Sequence, residues 1–300
     1  MTLRFRSALS SLLCLSLVLT LTSLVAAQTP THANVAYDDD HASQCVDVYL
    51  AKSDKPIPAM IFIHGGGWRA GSKQHVPTWL KRFVAAGELS VVSVEYRFTD
   101  VKTHPAQVQD CLRAVQFVRH NATQWNIDPQ RLGVTGGSAG GHLSAYVAVH
   151  DDVAQPKSDD PVERQSSRVA CAVPFAGPMD WSLLSTIDHK HPAYRQLLGY
   201  EPGTPAEKMS EDLKRDVSPI TFASQDDPPM LQVHGDADDI VPIEHAQRLH
   251  EKLKALGATS ELVVIPGGNH GVAGAGDAVT ERATAFVRRY LLQPQATGRD

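Results

Sequence analysis

Leu132-Gly133-Val134-Thr135-Gly136-Gly137-Ser138-Ala139-Gly140 is the stretch whose reading decides this chain. Leu132 to Thr135 is a short strand pattern, and Gly136 to Gly140 fits G-x-S-x-G. A helical pattern then runs from Ser138 to about Val149. A serine on such a turn takes strained backbone angles that lift its hydroxyl above a sheet. Gly136 and Gly140 have no side chains, so strand and helix can approach closely around it. The helix N-terminus favours negative charge that develops beside it. On its own the pattern also fits a glycine-rich turn with an unused serine, so the flanking sequence has to discriminate.

Working outward, apolar runs alternate with helical patterns. Ala59–Ile63 is a continuous apolar run, as expected of a strand buried on both faces. Val91, Val92 and Val94 form another strand, as do Val169–Phe175, Met230–His234 and Leu262–Ile265. Cys45–Leu50 alternates loosely, like an outer strand. Helices are expected from Pro105 to about His120, through Ala246, Leu249, Leu253 and Leu256, and through Val279, Ala283, Phe286, Val287 and Leu291. The alternation predicts an α/β fold: a mostly parallel central sheet with helices on both faces. Residues 150–168 read as a polar surface loop. Residues 178–229 read as a small insertion beside the active site, with a charged helix around Glu207–Asp216.

The N-terminus differs from the rest. Residues 1–27 carry Arg4 and Arg6, then LLCLSLVLTL at 12–21, then Val25-Ala26-Ala27. That order predicts a signal peptide cleaved after Ala27, for a secreted or periplasmic protein with no stable membrane insertion afterwards. Residues 28–43 read as a mature N-terminal arm, 44–293 as one catalytic domain and 294–300 as a tail. The net charge of -5 becomes -7 once Arg4 and Arg6 leave, which argues against a nucleic-acid partner. Cys45, Cys111 and Cys171 remain, an odd count and no disulfide framework. Cys111 and Cys171 read as buried thiols, and a pair involving Cys45 stays open. Asn121-Ala122-Thr123 fits a glycosylation acceptor, a short and common pattern.

Three features give Ser138 a chemistry. His64-Gly65-Gly66-Gly67-Trp68 follows the Ala59–Ile63 strand as a loop able to offer backbone N–H groups to an oxyanion. Gly66, Gly67 and Ala139 are the expected donors, with His64 orienting the loop. The chain lacks the P-loop and dinucleotide spacings that would suit a phosphate. His270, on the loop after the last strand, is the expected base. Asp238, in His234-Gly235-Asp236-Ala237-Asp238-Asp239, is the expected orienting carboxylate, with Asp236 and Asp239 as turn residues. The chain order Ser138, Asp238, His270 is that of α/β-hydrolases. A base is needed because a serine hydroxyl is a weak nucleophile until an imidazole takes its proton. Trp68, Trp181 and Tyr194 are candidate walls of a substrate pocket. His142 reads as a packed helix residue and Tyr96 as structural. His189 and His191 lack a zinc signature and read as exposed loop histidines, so no metal is expected.

These residues carry a resemblance. IHGGGWRAGSK at 63–73, VSVEYR at 92–97, HPAQVQDC at 104–111, NIDPQRLGVTGGSAGGHLSA at 126–145 and SPITFASQDDPPMLQVHGDADDIVP at 218–242 resemble hormone-sensitive-lipase-like esterases. The nearest group is BD-FAE, the bifunctional feruloyl and acetyl-xylan esterase-like proteins. With Gly267–Gly271, the matching pieces span 44–291. The resemblance implies the α/β-hydrolase fold, no cofactor, and hydrolysis of small-molecule or polysaccharide carboxylic esters, from acetyl to feruloyl. It implies Ser138 as nucleophile, His270 as base and Asp238 as its acid. Gly137 and Asp239 depart mildly, standing where relatives often carry an acidic residue and proline. Arylformamidases share the glycine loop, so an amide hydrolase is the alternative. A non-catalytic binding module would usually lack a triad member. Oligomeric state and acyl preference stay open.

Overall fold

The computed structural model describes residues 29–185, 191–274 and 276–293. The expected signal peptide 1–27 and tail 294–300 lie outside the described residues. The strands are β1 (His32–Ala36), β2 (Cys45–Tyr49), β3 (Ile57–Ile63), β4 (Ser90–Val94), β5 (Ile127–Gly137), β6 (Cys171–Phe175), β7 (Met230–Gly235) and β8 (Ser260–Ile265). They form one sheet in the order β1-β2-β4-β3-β5-β6-β7-β8. The β1–β2 and β2–β4 pairs are antiparallel, and every pair from β4–β3 to β7–β8 is parallel.

The apolar run in β3 follows from its two buried faces. Ala59, Ile61 and Ile63 join the cluster that holds Val108, Val115, Leu143 and Leu249. Met60 and Phe62 join the opposite cluster with Trp79, Leu80, Val279 and Phe286. Successive side chains point to opposite faces, and here both faces are dry. The first face is covered by α2 (Ala106–His120), α3 (Ala139–Val149) and α7 (Glu244–Ala255). The second is covered by α1 (Thr78–Ala85) and α8 (Gly276–Val287). The α/β class and mostly parallel sheet expected from the sequence are what the chain forms.

Some elements differ from expectation. Within the expected arm 28–43, His32–Ala36 pairs with β2 as the edge strand. Its side chains are largely exposed, so pairing of its backbone, and not an apolar pattern, makes it a strand. Helix α1 is missing from the sequence expectations because it is only eight residues long. In it Trp79, Leu80 and Phe83 are buried. Between β6 and β7 lie a 3-10 turn (Trp181–Ser185), α4 (Ala193–Leu197), a second 3-10 turn (Ala206–Lys208), α5 (Glu211–Val217) and α6 (Pro219–Phe222). The single charged helix expected there is split at Ser210, whose side chain caps α5 by accepting the Leu213 N–H at 3.3 Å. Residues 150–168 carry no helix or strand. Cys45, Cys111 and Cys171 are buried free thiols.

One buried polar joint ties the sheet to α2. Asp110 accepts from Arg97 N–H at 2.9 Å, Arg97 Nη2 at 2.6 Å and Gln44 Nε2 at 2.9 Å. Breaking such a pair strands the remaining charge in a dry environment. Asp110→Ala is therefore expected to cost about 3–5 kcal/mol of stability, read from urea unfolding. A loss under about 1 kcal/mol would mean that Arg97 reaches water without it.

Candidate active site

Ser138 is the single residue between β5 and α3, with φ +58° and ψ -121°. That region is unfavourable for an L residue bearing a side chain, so its surroundings must hold it there. Its N–H donates to Phe175 O at 2.8 Å, and its carbonyl accepts the His142 N–H at 2.9 Å. A Cβ on Gly136 would lie 2.4 Å from Ile63 O, and one on Gly140 would lie 2.0 Å from it. Any side chain at either position would push β3 away from the turn.

The hydroxyl is not isolated. Ser138 Oγ lies 2.8 Å from His270 Nε2, and His270 Nδ1 lies 2.8 Å from Asp238 Oδ2. A carboxylate only accepts, so the ring proton sits on Nδ1, and Nε2 is left to accept from Ser138. Asp238 is buried, and its Oδ1 accepts the N–H groups of Ile240 at 3.0 Å and Val241 at 2.9 Å. Burial alone would push its carboxyl up. Hydrogen bonds from His234, His270 and Val241 outweigh burial and hold it well below the usual carboxylate range.

The glycine loop after β3 turns back on itself through positive φ at Gly66, Gly67 and Trp68. Gly66 O accepts the N–H groups of Ala70 at 3.1 Å and Arg69 at 3.2 Å. His64 braces the loop. Its Nδ1 lies 2.8 Å from Gly65 O and its Nε2 2.7 Å from Glu95 Oε1. Its ring stacks on Tyr96 at 4.5 Å, and the Tyr96 hydroxyl donates to His64 O at 3.1 Å. Gly66, Gly67 and Ala139 line a cavity of about 480 Å³ together with Ser138 and His270. The Ala139 N–H opens α3, where an amide has no acceptor within the helix.

This geometry sits within a chain whose residues 46–253 match the BD-FAE family profile. The chain belongs to the BD-FAE family. A second profile, described as TAP-like protein, matches residues 208–300. Among curated relatives, a probable carboxylic ester hydrolase, LipM, of Mycobacterium tuberculosis is 29% identical over 241 residues, covering 80% of this chain and 55% of its own. The chain spans a little over half the length of the first curated relatives it matches. Among solved structures, a truncated carbohydrate esterase from gut microbiota is 29% identical with a TM-score of 0.76, covering 87% of this chain and 95% of its own. An acetyl ester-xyloside bifunctional hydrolase from Caldicellulosiruptor lactoaceticus is 28% identical with a TM-score of 0.76, over 87% and 97%. The fold is that of the α/β-hydrolases.

The three aromatic residues expected at a pocket wall take different places in this BD-FAE chain. Trp68 and Tyr194 line the cavity, joined by Ala193, Pro178, Ile240 and Val241. Trp181 is a correction: it stands behind the wall, fully buried, 5.8 Å from Trp68 and 5.6 Å from Tyr194. Its indole N–H donates to Tyr194 O at 3.3 Å, so its polar edge is used within the protein. His191, expected as an exposed loop residue, is half-buried and lines the cavity. His189 lies outside the described residues. Glu95 and His234 were missed. His234 is buried, 2.7 Å from Val241 O and 3.4 Å from Asp238 Oδ2. Its spacing four residues before Asp238 was the available signal. For Glu95 the signal was a carboxylate just beyond a buried strand, beside the glycine loop.

His142 holds the wall from the helix side. Trp68 Nε1 donates to its Nδ1 at 3.2 Å, and its Nε2 donates to Val217 O at 2.7 Å. Burial pushes its pKa down to about 3, so the neutral ring is the one that fits. An unfolded histidine titrates near ~6.5. Between those values the unfolded chain takes a proton that the fold refuses. Stability therefore falls as pH falls through this window, by up to about 1.4 kcal/mol per pH unit for this group. His104 is pushed down by burial too and adds in the same direction. Urea unfolding from pH 7 to pH 4 is expected to show a shallower slope for His142→Gln than for the parent. Equal slopes would locate the proton uptake elsewhere.

Proposed function

We propose that this chain is an exported serine carboxylesterase. The observation that carries the reading is the continuous relay Ser138–His270–Asp238, both links at 2.8 Å, at the cavity beside the glycine loop. In this reading His270 takes the Ser138 proton as Oγ attacks the ester carbonyl. Asp238 fixes the tautomer and stabilises the imidazolium that forms. The N–H groups of Gly66, Gly67 and Ala139 receive the oxyanion, where one donor is worth about 3 kcal/mol of transition-state stabilisation. His270 returns the proton to the departing alkoxide, leaving an acyl-enzyme on Ser138. Water, deprotonated by the same imidazole, then releases the acid.

Several observations support the finer points. The leader-like residues 1–27 support cleavage after Ala27 and a secreted or periplasmic location. Among the described residues no helix is long and apolar enough to cross a membrane. The named activities of the two structural neighbours, carbohydrate esterase and acetyl ester-xyloside hydrolase, support short acyl groups on saccharides. The cavity size falls in the usual range for small-molecule sites.

Ser138→Ala is expected to lower turnover of p-nitrophenyl acetate by at least about 10⁴-fold. A fluorophosphonate probe should label the parent at Ser138 and leave the variant unlabelled. Normal turnover in the variant would overturn the mechanism. A panel of acetyl, butyryl and octanoyl esters, methyl ferulate and acetylated xylan, set against N-formylkynurenine, separates acyl classes and tests the formamidase alternative. Preference for the formamide would replace the esterase reading.

A further inference from the structure

The cavity carries charge that the relay does not use. Arg69 and His191 both line it and flank Gly67. An ideal Cβ on Gly67 would lie 3.5 Å from His191 Cε1 and 3.9 Å from Arg69 Nε. Both side chains therefore stand beside the loop expected to hold the oxyanion. Arg69 Nη1 donates to the neutral Gln196 Oε1 at 2.9 Å, and among the described residues no carboxylate pairs with Arg69. The described cavity lining contains no Asp or Glu, although the chain as a whole carries a net charge of -5. A guanidinium with no carboxylate partner among the described residues, at a largely apolar cavity, makes that part of the lining locally positive, and low-dielectric walls focus the field.

We propose that Arg69 and His191 form a carboxylate-accepting subsite that selects esters carrying a second, ionised carboxyl group in the part of the substrate lying along the Gly67 side of the cavity. This deepens the carboxylesterase reading above and rests on it. The His191 Nδ1 accepts the Ala193 N–H at 3.2 Å, so a neutral ring carries its proton on Nε2. Burial, Arg69 and His270 all push the ring toward that neutral form. His191 thus offers one neutral N–H donor, and Arg69 supplies the charge and the planar fork that fits a carboxylate. A neutral ester in the same cavity would leave Arg69 with Gln196 alone and gain nothing from its charge.

The test compares 4-acetoxybenzoate with its uncharged isostere 4-acetoxybenzamide, reading the ratio of their kcat/KM values. In Arg69→Gln the ratio of acid to amide is expected to fall by about tenfold, the value of a charge-assisted hydrogen bond. Arg69→Lys keeps the charge without the fork and should recover part of the ratio. His191→Phe should lower it less than Arg69→Gln does. Added salt should lower the parent's ratio, because a rim charge is screened. A ratio that changes by less than about threefold in Arg69→Gln, or that ignores salt, overturns the proposal. Failure of the esterase reading would look different: the parent would cleave neither ester, and no ratio would exist.

Discussion

Ser138 at φ +58° is the constraint from which the rest of the site follows. An L residue held there costs about 1–3 kcal/mol, and the cost persists only if neighbours prevent relaxation. Here the preventing contacts are backbone to backbone. Phase by phase along the turn, Phe175 O holds the Ser138 N–H from β6, and Ile63 O closes on Gly136 and Gly140 from β3. The strands on both sides of β5 therefore brace the turn, and the contact from β3 tolerates no side chain at those glycines. Because β3 and β5 are parallel neighbours, the loop leaving β3 must emerge beside the serine. Gly67 and Ser138 are 71 residues apart in number (138 - 67) and adjacent for that reason.

The same logic brings in the other two groups. β7 and β8 are parallel neighbours, so the loops carrying Asp238 and His270 leave the sheet at the same edge. They are then fastened to one another. Asp236 Oδ1 accepts the Gly267 N–H at 2.6 Å, Ala237 N–H donates to Gly268 O at 2.9 Å, and Asp236 N–H donates to Ile265 O at 3.2 Å. Asp236 is exposed, yet it spans the two loops, a more definite task than the turn residue expected from sequence. The bond between His270 and Asp238 is thus set by loops locked below it, and the side chains have little freedom left to lose.

The central strands were legible because burial on both faces writes a continuous apolar run, and the serine turn because its glycines have no substitute. Ser138, Asp238 and His270 were readable from order and position after strands. What escaped was shorter or less periodic. β1 is a strand by pairing, not by pattern, since its side chains face water. Trp181 looked like a wall because aromatic residues in an insertion often are, but sequence cannot say which ring of a cluster faces the void. Trp68 and Tyr194 take the front, and Trp181 fills the space behind them. Arg69 and His191 were hidden differently. Neither has periodicity, and only the folded loop brings them both beside Gly67.

The segment between β6 and β7 is more than a cover. Positive φ costs Gly66 and Gly67 nothing, so the strain of the glycine loop falls on Trp68 at φ +57°, and the loop needs an anchor there. Trp68 is that anchor, and its indole N–H ends on His142. His142 in turn passes a hydrogen bond to Val217 O, in α5 of that segment. A chain of two hydrogen bonds therefore connects the loop after β3, the helix behind Ser138 and the segment after β6. Only neutral imidazole can complete it, accepting at one nitrogen and donating at the other. Protonation would set two donors against each other at Nδ1. The buried histidine thus makes the shape of the expected oxyanion loop depend on the docking of a segment far away in sequence, and that docking also delivers Tyr194 and His191 to the cavity.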